Sequence, residues 1–526
     1  MGENSSAQEE RIRAAEVVAA MCLATDLGMG FPFEHGLHAT LITMRLADLL
    51  GVDSQTASQT YYVSLLMYSG CTTDAHVSTK IFKSGLTANV TPVQFGSPTE
   101  AIPKLMRAVT SPDSPPLRRV YEIASGMPKA ARYRKPHFRA ICEVATMFTE
   151  RLGLPQLGHV FALLTDRWDG KGVLGRAQGD DIPLPLRIVH VARDAAFQRL
   201  IGGDEHAAKV IRERAGHAFD PEIANRFADA AFEILSAADV PESAWDATLD
   251  LEPRPWLSLE GGQIDGALAA MGDFADLPSP SLSGHSSGVA QLASAAAEVS
   301  GFDPADVTKI RRAGHLHDLG RAAVHPGIWE KTGALSADEW EQVRLHPYHT
   351  ARLLDRSRFL ESLARIACSH HERLDGTGYH RGETTMTLSP YSRILAAADA
   401  FHAMTEPRAH RPALSRESAA EVLNEEAREG RLDAQMVAAV LEASGMPPQP
   451  VERPAGLTER ESEVISLLAR GLQTKQVARA LDISIKTADR HIQNAYRKTG
   501  VSTRAAATLF AMEHGLVQWG ELPISR

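Results

Sequence analysis

The residues in this chain best placed to do chemistry are histidines and aspartates. His317 and Asp318 stand together at the end of the apolar-periodic run Val307 to Leu319, and His370 and His371 stand together further along. His285, His346 and Asp399 complete the set. A mixture of imidazoles and carboxylates suits Fe, Mn or Zn better than Mg or Ca. Two such ions about 3.5–4 Å apart polarise a phosphoryl oxygen, turn water into hydroxide near neutral pH and steady both the attacking and the leaving oxygen. Adjacent helical residues point about 100° apart, so each pair can approach two ions from two directions. His285, His317, Asp318, His346, His370, His371 and Asp399 are therefore candidate ligands of two divalent metal ions, Fe or Mn ahead of Zn. The chemistry they imply is hydrolysis of a phosphodiester. Taken singly, each has an ordinary reading: a capped or surface histidine, a helix stop at His346-Pro347, a solvated Asp399. That reading has to be invoked separately for every member of the set. Arg321 and Lys331 are the candidate grips on phosphate, with Asp318 the central catalytic carboxylate.

The elements that position these residues read as helices. Ala/Leu-rich patches of 3.6 period recur at 10–27, 36–50, 55–68, 137–152, 186–200, 206–215, 221–238, 264–274, 286–299 and 304–318, and strand signals are sparse. Asp303-Pro304 reads as a cap and first helical residue, and Ser336 to Glu339 as a capping box. The fold class is all-α.

The pattern also repeats. Ala20, Met21, Asp26, Leu27, His35 and Gly51 recur 250 positions later as Ala270, Met271, Asp276, Leu277, His285 and Gly301. A second block, Asp169 to Gly172 with Arg187-Ile188, recurs 206 positions later as Asp375 to Gly378 with Arg393-Ile394. The first copy is longer between the blocks, and 84–135 is the expected insertion. At the matching places the first copy keeps His35 but reads Tyr68-Ser69 for the His-Asp pair, Leu164-Thr165 for His370-His371, and Arg193 for Asp399. It is expected to hold no dinuclear site and to act as scaffold or pseudo-dimer partner. The sharper alternative is a sensory pocket lined by Arg193, His35 and Asp169. The division expected is 1–240, a linker at 241–262 whose Trp245 and Trp256 can pack between the halves, 263–445, a Pro-rich linker at 446–455, and 456–526.

Charge is uneven along the chain. Net charge is −10, but ten basic and seven acidic residues from Pro454 onward give the tail +3. Only the tail is suited to meet DNA. Cys22, Cys71, Cys142 and Cys368 lack metal-type spacing and fit a reducing compartment. The N-terminus has no signal-peptide pattern and no apolar run is long enough for a membrane span, so a cytoplasmic protein without a membrane partner is expected.

The tail divides into four short helices. Thr458 to Glu461 is a capping box with Gly471 closing the helix; Thr474 and Ser484 start the second and third; Thr503 starts a fourth that Gly515 closes. Helix, short turn and helix is the helix-turn-helix layout, whose second helix enters the major groove. That helix carries Lys486, Thr487, Arg490, His491, Asn494, Arg497 and Lys498 as candidate DNA contacts, with Arg490 and Asn494 able to touch base edges. Ile485, Ala488, Ile492, Ala495 and Tyr496 take its apolar face.

Two family resemblances follow from these motifs. His317-Asp318-Leu-Gly, His325-Pro326, Lys331 to Leu335, His346-Pro347, His370-His371-Glu372 to Tyr379, and Arg393 to Asp399 with the residues after it resemble the HD-GYP phosphohydrolases of the HD superfamily, over about 262–445. The resemblance implies tandem HD-domain helical bundles, the first copy degenerate. It implies that the seven residues ligate Fe, Mn or similar ions with Asp318 bridging, and that the substrate is a cyclic dinucleotide, chiefly cyclic di-GMP. This chain departs from the family in reading Gly378-Tyr379-His380 for Gly-Tyr-Pro, Arg321 for a lysine, and Ser281 where trinuclear members place an acid, which implies two metals and not three. A catalytically silent regulator using the site as a metal or nucleotide sensor is the alternative. Residues 456–516 resemble the LuxR-type helix-turn-helix along their length. This implies a dimerising fourth helix, a homodimer on DNA, and Lys486, Thr487, Arg490, His491 and Lys498 facing it, with Asp489 standing where a lysine is common.

Overall fold

A computed structural model of the chain describes residues 11–72, 81–83, 94–240, 243–446, 454–469, 472–513 and 516. Helix is the dominant secondary structure among them. The named strands are β1 (Arg11–Arg13) and β2 (Ser258–Glu260), antiparallel, with Ile12 opposite Leu259 and both buried. The helix expected to begin at 10 thus starts after a short strand. The described residues fall into two units: 1–291, 308–368 and 402–414 form one, and 292–307, 369–401 and 415–526 the other.

The first copy is built on α1 (Ala14–Met29), α2 (His35–Leu50), α3 (Ser54–Leu66), α4 (Pro98–Ala108), α5 (Pro116–Arg151), α6 (Leu184–Arg214) and α7 (Pro221–Asp229). α1 is buried almost all round, as its apolar run Val17-Val18-Ala19-Ala20-Met21-Cys22-Leu23-Ala24 requires. The patch expected at 137–152 is the end of the much longer α5, which runs through Pro128 and Pro136. Those prolines and the polar surface of α5 hid its length, since an interior proline removes a backbone donor. The patches at 186–200 and 206–215 are joined in α6, with Gly203 at φ 79° marking the break. The patch at 221–238 is divided after α7 into shorter helical pieces.

The stretch between copies is tied down. It contains α8 (Ala244–Asp250) with Trp245 buried. Arg13 reaches across to the buried Glu252 at 2.6 Å, Tyr62 donates to the same carboxylate at 2.6 Å, and the Arg13 guanidinium lies 4.1 Å from the Trp256 ring centroid. The second copy continues as α9 (Gly262–Asp276), α10 (His285–Val299), α11 (Pro304–Leu316), α12 (Ala337–Arg344), α13 (His346–Leu354), α14 (Arg358–Ala367), α15 (Pro390–Thr405), α16 (Arg416–Arg428) and α17 (Ala434–Ala443). The capping box at Ser336 is formed.

The repeat is visible in the bonding. Asp26 accepts from the Gly36 amide at 2.8 Å, and Asp276 from the Ser286 amide, 250 positions on, at 2.8 Å. Arg187 holds Asp220 at 2.7 Å, the cap of α7, just as Arg393 holds Asp433 at 3.1 Å, the cap of α17. Gly70 and Gly320 are equivalent too. A β-carbon on Gly70 would strike the Ile141 carbonyl, and one on Gly320 the His346 carbonyl and Thr350. This register corrects one alignment: with Gly70 on Gly320, the counterpart of His317-Asp318 is Met67-Tyr68, one place before Tyr68-Ser69.

The first copy packs on second-copy elements of its own unit. α1 lies against the short turn Leu319–Ala323 that follows Asp318. Phe148 meets Phe274 at 6.3 Å, Arg151 pairs with Asp273, and Arg356 pairs with Glu34 at 2.9 Å.

The tail forms α18 (Glu459–Ala469), α19 (Thr474–Ala480), α20 (Ile485–Thr499) and α21 (Arg504–Glu513). Val464, Leu468, Val477, Ala478, Ala488 and Ile492 make one apolar cluster; Leu457, Ile465, Ala469, Ala495, Ala507 and Ala511 make another. Ser484 caps α20, and Thr503 accepts from the Ala506 amide. The second helix is capped by Gln473, with Thr474 its first residue. Gly471, Gly515 and most of the 446–455 linker lie outside the described residues.

Candidate metal centre

In the first unit, three imidazoles close on one carboxylate. Asp318 follows α11 and is fully buried, and the close approach at Gly320 presses the turn after it onto α13, which starts at His346. Asp318 Oδ2 lies 2.9 Å from His317 Nε2 and 3.4 Å from His285 Nε2, and Oδ1 lies 3.1 Å from His346 Nε2. The other nitrogen of each ring is engaged as a donor. His317 Nδ1 donates to the Gly314 carbonyl at 2.7 Å, His346 Nδ1 to the Val343 carbonyl at 2.6 Å, and His285 Nδ1 to Glu406 Oε2 at 2.9 Å. The two carbonyls fix the tautomers of His317 and His346 and leave their Nε2 lone pairs toward the carboxylate; the Glu406 carboxylate favours the same tautomer for His285, whose Nδ1 also lies 3.2 Å from Arg408 Nη2. Lone pairs facing a carboxylate from three sides are the donor set a divalent cation takes, so these residues fit a metal. Burial alone would raise the Asp318 carboxyl. The Arg321 guanidinium holds it well below the ordinary carboxylate range.

The second unit carries the remaining candidates. His370 and His371 have ring centroids 4.1 Å apart, and His371 Nδ1 is 3.7 Å from Asp399 Oδ2 on α15. Tyr379 stacks on His371 at 4.3 Å. Glu372 pins the loop that brings Tyr379 there, accepting from the amides of Arg381 at 3.2 Å and Glu383 at 3.1 Å. Gly378 is required in that loop, because a β-carbon would come within 2.5 Å of Glu372 Cα.

Two expected phosphate grips are used otherwise. Arg321 Nη1 lies 2.7 Å from Asp318, the guanidinium stands over Trp329, and the residue is buried. Lys331 Nζ binds Glu339 at 2.5 Å, bracing the start of α12. The sequence reading missed Glu406. Besides holding His285 it faces His402 Nδ1 at 3.3 Å and Arg408 at 2.9 Å, and burial notwithstanding, its bonds to the two histidines bring its carboxyl down to about 2. His285, His402 and Glu406 each offer a ligand atom within 4.8 Å of one another. The signal was there in Asp399, His402 and Glu406, spaced for one helix face.

In the first copy, a guanidinium stands among the counterparts of the candidate ligands. Arg193 is fully buried, its guanidinium 4.7 Å from the Tyr68 ring and bonded to the Gly36 carbonyl at 3.3 Å. His35 stacks by Phe31 at 4.7 Å; burial and the nearby Arg193 push it down to about 3, so it is neutral. Asp169, expected to line a pocket with them, is instead clamped by Arg167 at 3.0 Å.

On α20, Lys486, Thr487, Arg490 and Arg497 are exposed, with His491 and Asn494 half-buried beside them. Lys498 is turned inward, binding the buried Glu461 at 2.6 Å and the Gly456 carbonyl at 2.9 Å. Ile485, expected on the apolar face, is 54% exposed.

Residues 270–436 match the HD domain family, and residues 455–511 match the bacterial regulatory proteins of the luxR family. The chain thus carries an HD domain followed by a luxR-family regulatory domain, in the order the motifs implied. More particularly, it is similar to the 3'3'-cGAMP-specific phosphodiesterase 3 of Vibrio cholerae, with 26% identity over 423 residues, 78% of this chain and 90% of that one. The cyclic di-GMP phosphodiesterase response regulator RpfG of Xanthomonas campestris is 35% identical over 146 residues, 27% of this chain and 38% of that one. The crystal structure of a cyclic GMP-AMP specific phosphodiesterase of V. cholerae shares the fold, with TM-score 0.58 at 23% identity over 84% of this chain and 99% of that one. No helix among the described residues is long and apolar enough to cross a membrane.

Proposed function

We propose that this chain is a metal-dependent phosphodiesterase that opens a cyclic dinucleotide, joined to a DNA-binding tail through which it regulates transcription. The observation that carries the reading is the convergence of His285, His317 and His346 on Asp318, each ring held by its far nitrogen. The seven candidate ligands together hold two divalent ions, Fe or Mn ahead of Zn. When bound, the ions supply Lewis acidity toward phosphate and lower the pKa of water. The chain's own part is to keep the imidazoles oriented, to hold Asp318 ionised, and to screen the site by burial. Motif resemblance points to cyclic di-GMP, and the relative aligned through both copies is named for 3'3'-cGAMP. The tail acts as a homodimer reading two half-sites.

The test is metal content and turnover on one anaerobic preparation, with Asp318→Ala beside it. About two metals per chain, with turnover of cyclic di-GMP or 3'3'-cGAMP lost in the variant, is the expected result; absence of metal would sink the reading. One observation favours a catalytically silent regulator: Arg321 already neutralises Asp318 at 2.7 Å. Bound metal without turnover of either dinucleotide or of a bis-aryl phosphodiester is the outcome that reading expects.

A further inference from the structure

One face of α5 carries charge that its own fold does not answer. Between Glu122 and Glu143 the helix holds Lys129, Arg132, Arg134, Lys135 and Arg139 and no acid. All five are exposed. At 100° per residue, Lys129, Arg132, Lys135 and Arg139 fall within about 120° of one another, and at 1.5 Å per residue the row is about 15 Å long. The opposite face, with Ala130, Ile141, Ala145 and Phe148, is buried. Among the described residues none of the five cations joins an ion pair. Arg118 and Arg151 on the same helix do, with Glu122 and Asp273, as do Arg167, Arg187, Arg199, Arg212 and Arg214 elsewhere in this half. Like charges three and four residues apart on a helix repel one another. An unanswered row of them is costly in isolation and is relieved by a polyanion.

We propose that this row is a second DNA contact, laid along the phosphates of a duplex that the C-terminal domain also holds. It rests on the reading of the tail as a DNA binder. About 15 Å of duplex carries about nine phosphate charges, so four cations in a straight row find partners along one strand edge. Tyr133 and His137, which border the row, stack on each other at 4.7 Å and do not stand out as platforms for unpaired bases. The surface therefore fits duplex backbone, and it contributes affinity without reading sequence. A second copy of this chain is the competing occupant, since the body outside the tail is acidic.

The experiment uses the full chain and a labelled random-sequence duplex, with affinity followed over a salt series. Wild type is compared with Lys129→Gln/Arg132→Gln/Lys135→Gln/Arg139→Gln and with Arg490→Ala. Each phosphate contact contributes about 0.9 to the slope of log affinity on log salt, so the quadruple variant is expected to lower the slope by about 2 to 4 and Arg490→Ala by about 1. An unchanged slope in the quadruple variant overturns this proposal alone. A wild-type chain that binds no duplex overturns it together with the DNA-binding reading. If the quadruple variant loses self-association while its slope is unchanged, the row is a chain–chain contact and the proposal fails. Should the quadruple variant melt early, Lys135→Gln and Arg139→Gln singly serve instead, each expected to lower the slope by about 0.9.

Discussion

At the scale of single residues, Glu406 decides how well His285 can serve. His317 and His346 are oriented by backbone carbonyls that no substitution removes, whereas His285 depends on a side chain. Replacing it as Glu406→Ala should weaken metal binding by about 10- to 100-fold, and Glu406→Gln, which keeps an acceptor, by less. Chelator competition reads this directly, and an unchanged affinity in Glu406→Ala would remove Glu406 from the site. Asp26 offers a test on the metal-free half. Burial pushes its carboxyl up to about 7, with the Gly36 amide and Arg193 pulling the other way. A raised carboxyl favours the fold while protonated. Its contribution is full below the ordinary value of 3.8 and is lost as pH climbs to about 7. Asp26→Asn keeps the acceptor for Gly36, so its melting temperature should match wild type in acid and exceed it above pH 7; parallel curves across that window would contradict the shift. The histidines and aspartates were legible because no ordinary role explains all of them at once. Glu406 shares a helix-face spacing with Asp399 and His402, but that spacing does not reveal its partner His285, which lies far from it in the chain. The inward turn of Lys498 was not legible, because a cation on a DNA-reading helix looks the same in sequence whichever way it points.

At the scale of elements, the turn Leu319–Ala323 sets the position of Asp318. Gly320 lets that turn touch the first turn of α13. Gly320→Ala should cost about 3 kcal/mol by overpacking and displace Asp318; a variant that melts like wild type and keeps its metal would show that the turn has room to give. In the tail, Lys498→Ala leaves the buried Glu461 without its cation, so thermal melting of the domain should fall along with DNA affinity. A loss of affinity with no change in melting would restore Lys498 to the DNA surface. Helix starts were well marked wherever a side chain could cap, as at Ser336 and Ser484. The strand pair β1–β2 was hidden because each strand is three residues long, too short for alternation to show. α5 was hidden because most of its surface is polar and two prolines interrupt its pattern.

At the scale of the whole molecule, the two functions are separable in principle. The Vibrio structure that shares the fold is covered almost end to end by 84% of this chain. A chain ending before Pro454 should keep metal content and phosphodiesterase activity and lose DNA binding. Loss of both together would show that the tail is part of the hydrolytic unit. The repeat was legible as two fixed offsets, but the fate of the degenerate half was not, since only geometry shows a guanidinium standing under Tyr68 where its twin gathers candidate metal ligands. That exchange bears on how the protein is made. A guanidinium is synthesised with the polypeptide; a metal ion has to be found. The half with Arg193 needs no ion to fill its interior, and α1 presents its surface to the turn beside Asp318. In a cell starved of transition metals, that half would go on standing and keep its twin in shape for loading, so the chain would carry its own assembly jig.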